Sequence, residues 1–204
     1  MKSKIIFILV VAALIGCKGE FVPDPVDPRL PRYSEGGKDA AGCFINGNLW
    51  RAVRSPHLFG ADEVLRIRFS SEDSLIRFTI DGYQKELTDS VGIPTEISFV
   101  LDNRPSQVST TPIASIGTIP EGTFILDGKQ SYGQLNQGDG NITATNGTGQ
   151  LTLRHVQLNP EIEDNQDRHY IVAGTFSFTA PSDSLGLIEV KSGRFDYSVR
   201  ERKN

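Results

Sequence analysis

Histidines, which often bind metal ions in proteins, are few in this sequence and are not spaced as metal ligands usually are. The three histidines, His57, His155 and His169, are far apart, and none belongs to a short motif that would place two imidazoles on one ion. His155 follows Leu151 and Leu153 at the inward spacing of a strand, which favours a hydrogen-bonded histidine at the edge of the core. The sequence therefore predicts no metal site and no cofactor.

A short acidic stretch offers calcium as an alternative. Glu161, Glu163, Asn165 and Asp167 alternate along it and carry the oxygen ligands that calcium prefers. The glycine that allows an EF-hand loop to turn sharply is missing, so a solvated acidic loop is the favoured interpretation.

The other nucleophiles and acids form no recognisable catalytic group. The Gly-x-Ser-x-Gly elbow, the Ser-x-x-Lys pattern with its partners and a cysteine framed with a histidine are all absent. A glycosidase needs two carboxylates roughly 5 to 10 Å apart across a cleft, and the 25 Asp and Glu residues could supply such a pair from different strands. The sequence favours a non-catalytic protein and leaves a glycan-active hydrolase as the alternative.

One tripeptide pattern, Asp-Ser-aliphatic, occurs three times in predicted turns, at Asp73-Ser74-Leu75, Asp89-Ser90-Val91 and Asp183-Ser184-Leu185. It resembles the O-glycosylation sequon of exported Bacteroidota proteins, which implies Ser74, Ser90 and Ser184 as candidate modification sites. Asp and Ser are also ordinary turn residues that bond their own backbone, and this second explanation stays open.

The N-terminus has the layout of a secretory signal peptide. Lys2 and Lys4 precede an unbroken apolar run over residues 5–15, and the small Gly16 follows it. As a helix that run covers about 16 Å, too little to span a bilayer. We predict a signal peptide over residues 1–16.

The motif at the expected cleavage point is Leu14-Ile15-Gly16-Cys17, which resembles the lipobox of bacterial lipoproteins. The resemblance implies that Cys17 receives a diacylglycerol, becomes the new N-terminus and carries palmitate-type acyl chains that anchor the chain to a membrane. Because Lys18 and not an aspartate follows, the implied destination is the outer membrane, with its periplasmic and surface faces both open. Cys43 is then left without a partner and is expected to be a small buried hydrophobe.

Residues 17–40 read as a flexible, proline-rich tether. Pro23, Pro25, Pro28 and Pro31 fix φ and donate no amide hydrogen bond, which favours an extended spacer. Some 22 residues at about 3.1 Å each would reach roughly 60 to 70 Å. The stretch Gly36-Gly37-Lys38-Asp39 is interpreted as the loose end of this tether.

Residues 41–204 read as a single all-β domain, an antiparallel sandwich or partly open barrel of about ten strands. Asn46-Gly47 predicts a tight type I′ hairpin, and alternation of apolar and polar residues recurs at intervals down to the C-terminus. A last hairpin is predicted to turn at residues 191–194. No stretch carries a convincing helical period.

Several strand segments together resemble the domain-of-unknown-function lipoproteins of Bacteroidota. They are FINGNLWRA at residues 44–52, GTFIL at 122–126, GTFSFTA at 174–180 and SGRFDY at 192–197. The resemblance implies an exported all-β domain and brings no catalytic residues with it.

The chain has a formal net charge of -4 and no basic stretch, which argues against nucleic acid as a partner. We therefore expect a lipid-anchored envelope protein that acts as a binding or interaction module. Its partner would be a cell-surface protein or a glycan.

Overall fold

We describe the protein from a computed structural model, which covers residues 21–23, 26–52, 56–57, 60–61, 64–70, 74–84, 93–104, 113–138, 141–162 and 164–203. Only the backbone is described for Pro56, His57, Gly60, Ala61, Asn141, Ile142 and Thr143. Across these ranges the chain is all-β and antiparallel, as predicted.

The described part of the chain contains twelve strands and one short 3-10 helix, Ile116–Thr118. The strands are β1 (Ala40–Ile45), β2 (Asn48–Ala52), β3 (Pro56–His57), β4 (Gly60–Ala61), β5 (Leu65–Ser70), β6 (Leu75–Gln84), β7 (Ile93–Asp102), β8 (Gly122–Asp127), β9 (Tyr132–Gln137), β10 (Asn141–Leu158), β11 (Asp167–Ser182) and β12 (Gly186–Arg202).

Ten strands form one sheet that bends round on itself. The order β11-β12-β1-β2-β6-β7-β9-β10 returns to its start because β10 also pairs with β11. β5 pairs with β6 beside this path, and β3 and β4 form a separate two-stranded sheet. β8 and β9 lie end to end along β10, since Asp127 is opposite Thr148 and Gly133 is opposite Gly147. The result is a partly closed ring without the regularity of a full cylinder.

The first hairpin follows from local chemistry. Asn46 and Gly47 join β1 to β2 with φ of 48° and 80°, the two positive values that a type I′ turn requires. This confirms the sequence-based prediction. The alternation predicted for residues 65–69 and 75–80 is also confirmed, because β5 and β6 pair and bury one face.

The core lies inside the ring. Every strand of the ring contributes at least one apolar side chain to this core, and most contribute several at alternate positions. Trp50 is fully buried there and donates its indole N–H to the carbonyl of Thr95 at 3.1 Å. Phe99 packs edge-on against Phe176 and Phe178, with ring centroids 5.0 and 5.8 Å apart. Cys43 is completely buried, as expected for a small hydrophobe.

The hairpin predicted at residues 191–194 is wrong. β12 continues through these residues as one strand of 17 residues, and the true turn lies earlier, at residues 183–185. Ser192 has φ of 55° and marks a bulge, because Gly193 lies opposite Phe176 whereas Val190 lies opposite Phe178. The polar Lys191-Ser192-Gly193 run that resembled a turn therefore bends a continuous strand.

The described residues between β7 and β8, which are 103–104 and 113–121, pack against the ring. Asn103 exchanges two hydrogen bonds of 2.7 Å with the backbone of Ile113. Ile116 is buried, and its backbone N–H donates to the carboxylate of Glu201 on β12 at 2.7 Å.

Residues 26–39, which we call the strap, cross the outside of the ring. The backbone is non-helical, as its prolines predict, but the segment packs against the sheet instead of standing clear of it. Leu30 and Tyr33 are 5% exposed, and the carbonyl of Arg29 accepts a hydrogen bond from Arg51 on β2. The tether interpretation therefore applies at most to the residues before Phe21, whose ring contacts Tyr33 of the strap.

Candidate functional site

Part of the predicted site chemistry lies outside the described residues. These are the whole signal peptide and lipobox with Cys17, and also Ser90 and Glu163. Their roles stay predictions.

Two of the three candidate glycosylation serines are described, and both lie in turns. Ser184 is exposed in the turn between β11 and β12, with its hydroxyl 3.4 Å from that of Ser182. Ser74 lies in the turn before β6 with φ of 52°, is half-buried, and accepts a hydrogen bond from the N–H of Asn103 on its carbonyl. Ser184 is the more accessible of the two.

The histidines and the acidic loop do not converge. His155 is half-buried on β10 with Nδ1 3.9 Å from Glu35, and His169 has Nε2 3.6 Å from Asp164. Hydrogen bonds from the N–H groups of Gln166 and Asp167 lower the pKa of Asp164, so this carboxylate organises its own loop. Within the described ranges no three His, Cys, Asp or Glu side chains gather as a metal site.

The densest polar arrangement lies on the outer surface of β5, β6, β7 and β9. Alternation on β6 puts Ile76, Phe78 and Ile80 into the core, so Thr79 and Asp81 point outward. The strand register then places outward residues side by side across the sheet. We call this group the polar face: Arg66, Thr79, Asp81, Glu96, Ser98, Gln134 and Asn136.

Arg66 joins two carboxylates of this face. Its guanidinium bonds both oxygens of Asp81, one of them through Nη2 at 3.1 Å, and Nη2 also lies 3.1 Å from Glu96 Oε2. Each of these three side chains is about one third exposed, so the charged groups are held in place while still open to solvent.

The second oxygen of Glu96 extends the network toward β9. Asn136 donates its amide N–H to Oε1 at 2.7 Å, and the hydroxyl of Ser98 donates to the same atom at 3.1 Å. Gln134 donates to Asn136 at 3.0 Å, which continues the chain of bonds along β9.

Beneath the charged groups the network is buried. Ser98 is fully buried and lies 3.2 Å from the hydroxyl of Thr79. Buried hydrogen-bonded groups hold their neighbours in a defined geometry. Tyr83 and Tyr132 occupy outward positions near the two ends of the face and are partly exposed. The face thus combines fixed donors, fixed acceptors and aromatic edges.

The arrangement fits binding better than acid-base catalysis. A glycosidase needs one carboxyl that keeps its proton until it donates it. Asp81 and Glu96 are bonded to the same guanidinium, so both carboxylates serve as acceptors in one hydrogen-bond network. Acceptors held at fixed positions are what a surface that binds polar groups requires.

A second cluster, which sequence reasoning missed, lies beneath the strap. Asp196 on β12 is 2% exposed, and its carboxylate accepts hydrogen bonds from Ser34 Oγ and from the N–H groups of Gly36, Gly37 and Lys38, the last two at 2.7 and 3.1 Å. The glycine stretch interpreted as a loose end therefore wraps a buried carboxylate. Positive φ at Gly37 helps aim successive N–H groups at one anion.

Arg194, two positions earlier on β12, is also buried, at 4% exposure. Burial lowers the pKa of its guanidinium, and the nearby charge of Asp27 opposes that effect. A cavity of about 380 Å³ lies between strap and sheet, lined by Phe21, Leu30, Tyr33 and Arg194 among others. The strap thus covers two charged residues as well as apolar surface.

Signals for these sites were present in the sequence only in part. Polar residues alternate within the predicted strands β5 and β6, which marks an outward face. Which strands would lie side by side depends on long-range pairing, and β9 was not predicted at all because Tyr132–Gln137 is mostly polar.

None of the described residues belongs to a helix with the length and apolar character that crossing a membrane requires.

Comparison with known protein families, characterised proteins and solved structures finds no match to this chain. Function is therefore inferred from the chemistry of the polar face and the strap.

Proposed function

We propose that this protein is a lipid-anchored component of the bacterial outer membrane whose domain binds a glycan through the polar face without catalysing a reaction. The observation that carries the binding role is the continuous network from Arg66 through Glu96 to Asn136 across three strands.

Carbohydrates suit this surface because their hydroxyl groups both donate and accept hydrogen bonds. The polar face offers carboxylate acceptors, guanidinium donors and amides that do both, at fixed positions. Partly exposed tyrosines add rings with an apolar surface and a polar tip. Groups already held by their neighbours lose little entropy on binding.

The test compares glycan retention by the wild type and by Glu96→Gln, which keeps the side-chain shape and removes the charge. We expect a loss of roughly tenfold in affinity, since about 1.4 kcal/mol corresponds to one such factor and a bond to a charged group contributes that much. Asp183→Asn, in an exposed turn, serves as the matched control. A glycan array followed by calorimetry provides the measurement, and equal affinity of all three proteins would contradict the proposal.

The anchor rests on Cys17 and the signal peptide before it. Radiolabelled palmitate should enter the wild-type protein and not the Cys17→Ala variant. Equal labelling of both proteins would exclude the anchor while leaving the glycan proposal intact.

A glycan-active hydrolase is the second candidate, because Asp81 and Glu96 are opposite residues on adjacent strands. It predicts release of reducing sugar that disappears in both Asp81→Asn and Glu96→Gln. Binding without any release would eliminate it.

The exposed turn at Ser184 supports O-glycosylation there, and Ser74 and Ser90 complete the candidate set. The intact mass of protein from its native host should exceed that of the mature sequence with its lipid by the mass of sugar residues. Ser184→Ala should remove at least one of them, and an unmodified mass would end this proposal.

A further inference from the structure

The strap brings the packed part of the chain close to the proposed lipid attachment point. Phe21 contacts Tyr33 edge-on with ring centroids 5.3 Å apart, and the guanidinium of Arg154 lies 3.5 Å from its ring centroid. Phe21 is therefore part of the folded surface. Only three residues separate it from Cys17, so the four steps from Cα to Cα span at most about 14 Å.

The surface around Phe21 has the composition of a membrane interface. Val22 is 58% exposed and Val26 is 75% exposed, although both are apolar. Arginines lie on the same side of the domain, because Arg32 lines the same cavity as Val22 and Val26, Arg154 lies over Phe21, and Arg51 bonds the carbonyl of Arg29. Two of them are paired with acids, Arg29 with Asp27 and Arg154 with Glu35. The chain is acidic as a whole, yet this side presents arginine to a phosphate layer with apolar side chains between.

We infer that the strap side of the domain rests on the phospholipid headgroups of the leaflet that holds the anchor, with Val22 and Val26 in the interface. This rests on the proposed lipidation of Cys17. The strap lies over β1 and β12, and β7 is opposite β12 in the ring order. The polar face is thereby turned away from the lipid and toward its ligand.

The test measures the depth of nitroxide labels on the full, lipidated protein in vesicles of phosphatidylethanolamine and phosphatidylglycerol. One label is attached at Val26→Cys. The control label is at Lys129→Cys, an exposed position in the turn after β8, where Ser131 bonds the end of β7. Cys43 stays in place because it is fully buried. Collision rates with oxygen, which concentrates in lipid, and with a water-soluble nickel chelate give the depth.

We expect the ratio of oxygen to nickel collisions to be several-fold higher at position 26 than at position 129. Val22→Asp should lower the ratio at position 26 and leave position 129 unchanged. Equal, water-like ratios on a protein whose mass shows the lipid would overturn this inference and leave the anchor standing. A mass without lipid would overturn both.

Discussion

At the scale of single residues, Asp196 shows how one buried charge organises a segment far away in the sequence. Its carboxylate lies under the strap and receives bonds from residues 34–38, about 160 positions earlier. A buried charge is costly unless hydrogen bonds compensate for the lost water. The strap supplies those bonds, so strap and carboxylate stabilise each other.

Asp196→Asn should lower the free energy of unfolding by about 2 kcal/mol, because an amide cannot accept all of the N–H groups that the carboxylate accepts. Urea unfolding followed by the fluorescence of Trp50, the single tryptophan, provides the measurement. The control Asp183→Asn in the exposed turn should change stability by no more than about 0.5 kcal/mol. Equal urea midpoints of unfolding for Asp196→Asn and Asp183→Asn would refute the role of Asp196.

A second residue-scale prediction concerns acid stability. The carboxylate of Asp127 accepts N–H bonds from Lys129, Gln130 and Ser131, and these bonds hold its pKa below the ordinary value of 3.8. The unfolded chain therefore binds the proton first as the pH falls. The stability that Asp127 contributes is complete above its unfolded pKa and is lost as the pH falls through its folded pKa.

Asp127→Asn should accordingly be less stable than the wild type at neutral pH, and the gap should close at acid pH below the folded pKa. Urea midpoints measured across the acid range test this. A gap that stays constant at every pH would show that the carboxylate charge plays no part.

At the scale of elements, the sequence revealed strands whose one face is apolar and missed those that lack this contrast. Ile97, Phe99 and Leu101 alternate clearly, and β7 forms where they predict it. β9 was missed because its core contact includes Gly133, which lies against the ring of Phe178 where a Cβ would come within 2.5 Å. A glycine that lets a neighbouring ring approach the backbone closely adds no apolar side chain to the alternating pattern by which a strand is predicted.

The bulge in β12 gives an element-scale prediction. Ser192 has φ of 55°, a conformation that costs a β-branched residue about 1–2 kcal/mol and glycine almost nothing. Ser192→Val should lower the free energy of unfolding by about that amount, and Ser192→Gly should not lower it. If valine is tolerated as well as glycine in urea unfolding, the bulge is not constrained as described.

The candidate site, like the strands, could be predicted from the sequence only in part. That β6 carries an outward polar row could be predicted from residues 75–80, but its meeting with Glu96 and Asn136 could not. Register between strands distant in sequence is decided by the whole core and by bulges. The packing of the strap on the sheet could not be predicted for a related reason. A proline-rich sequence indicates an extended backbone but does not indicate which surface that backbone packs against.

At the scale of the whole molecule, the strap belongs to the folded unit. Leu30 and Tyr33 of the strap are buried, and burial of such side chains contributes about 2 kcal/mol each. Residues 21–204 should therefore unfold at the same urea concentration as the mature chain.

Residues 41–204, by contrast, should lose about 4 kcal/mol or more. Comparison of the two truncations by urea unfolding and circular dichroism tests this. Equal stability would mean that the strap is an independent appendage.

The ring also fixes when the molecule can fold. β1 pairs with β12, so that Ala40 lies opposite Asp196, and the first strand of the ring has the last strand of the ring as its neighbour. A chain that emerges from a ribosome or a translocation channel with its N-terminus first cannot complete the ring until β12 has emerged. β1 lacks this partner until β12 is available, and such pairing between distant segments slows folding. If the chain is exported through a narrow pore, the same delay would leave it unfolded during its passage.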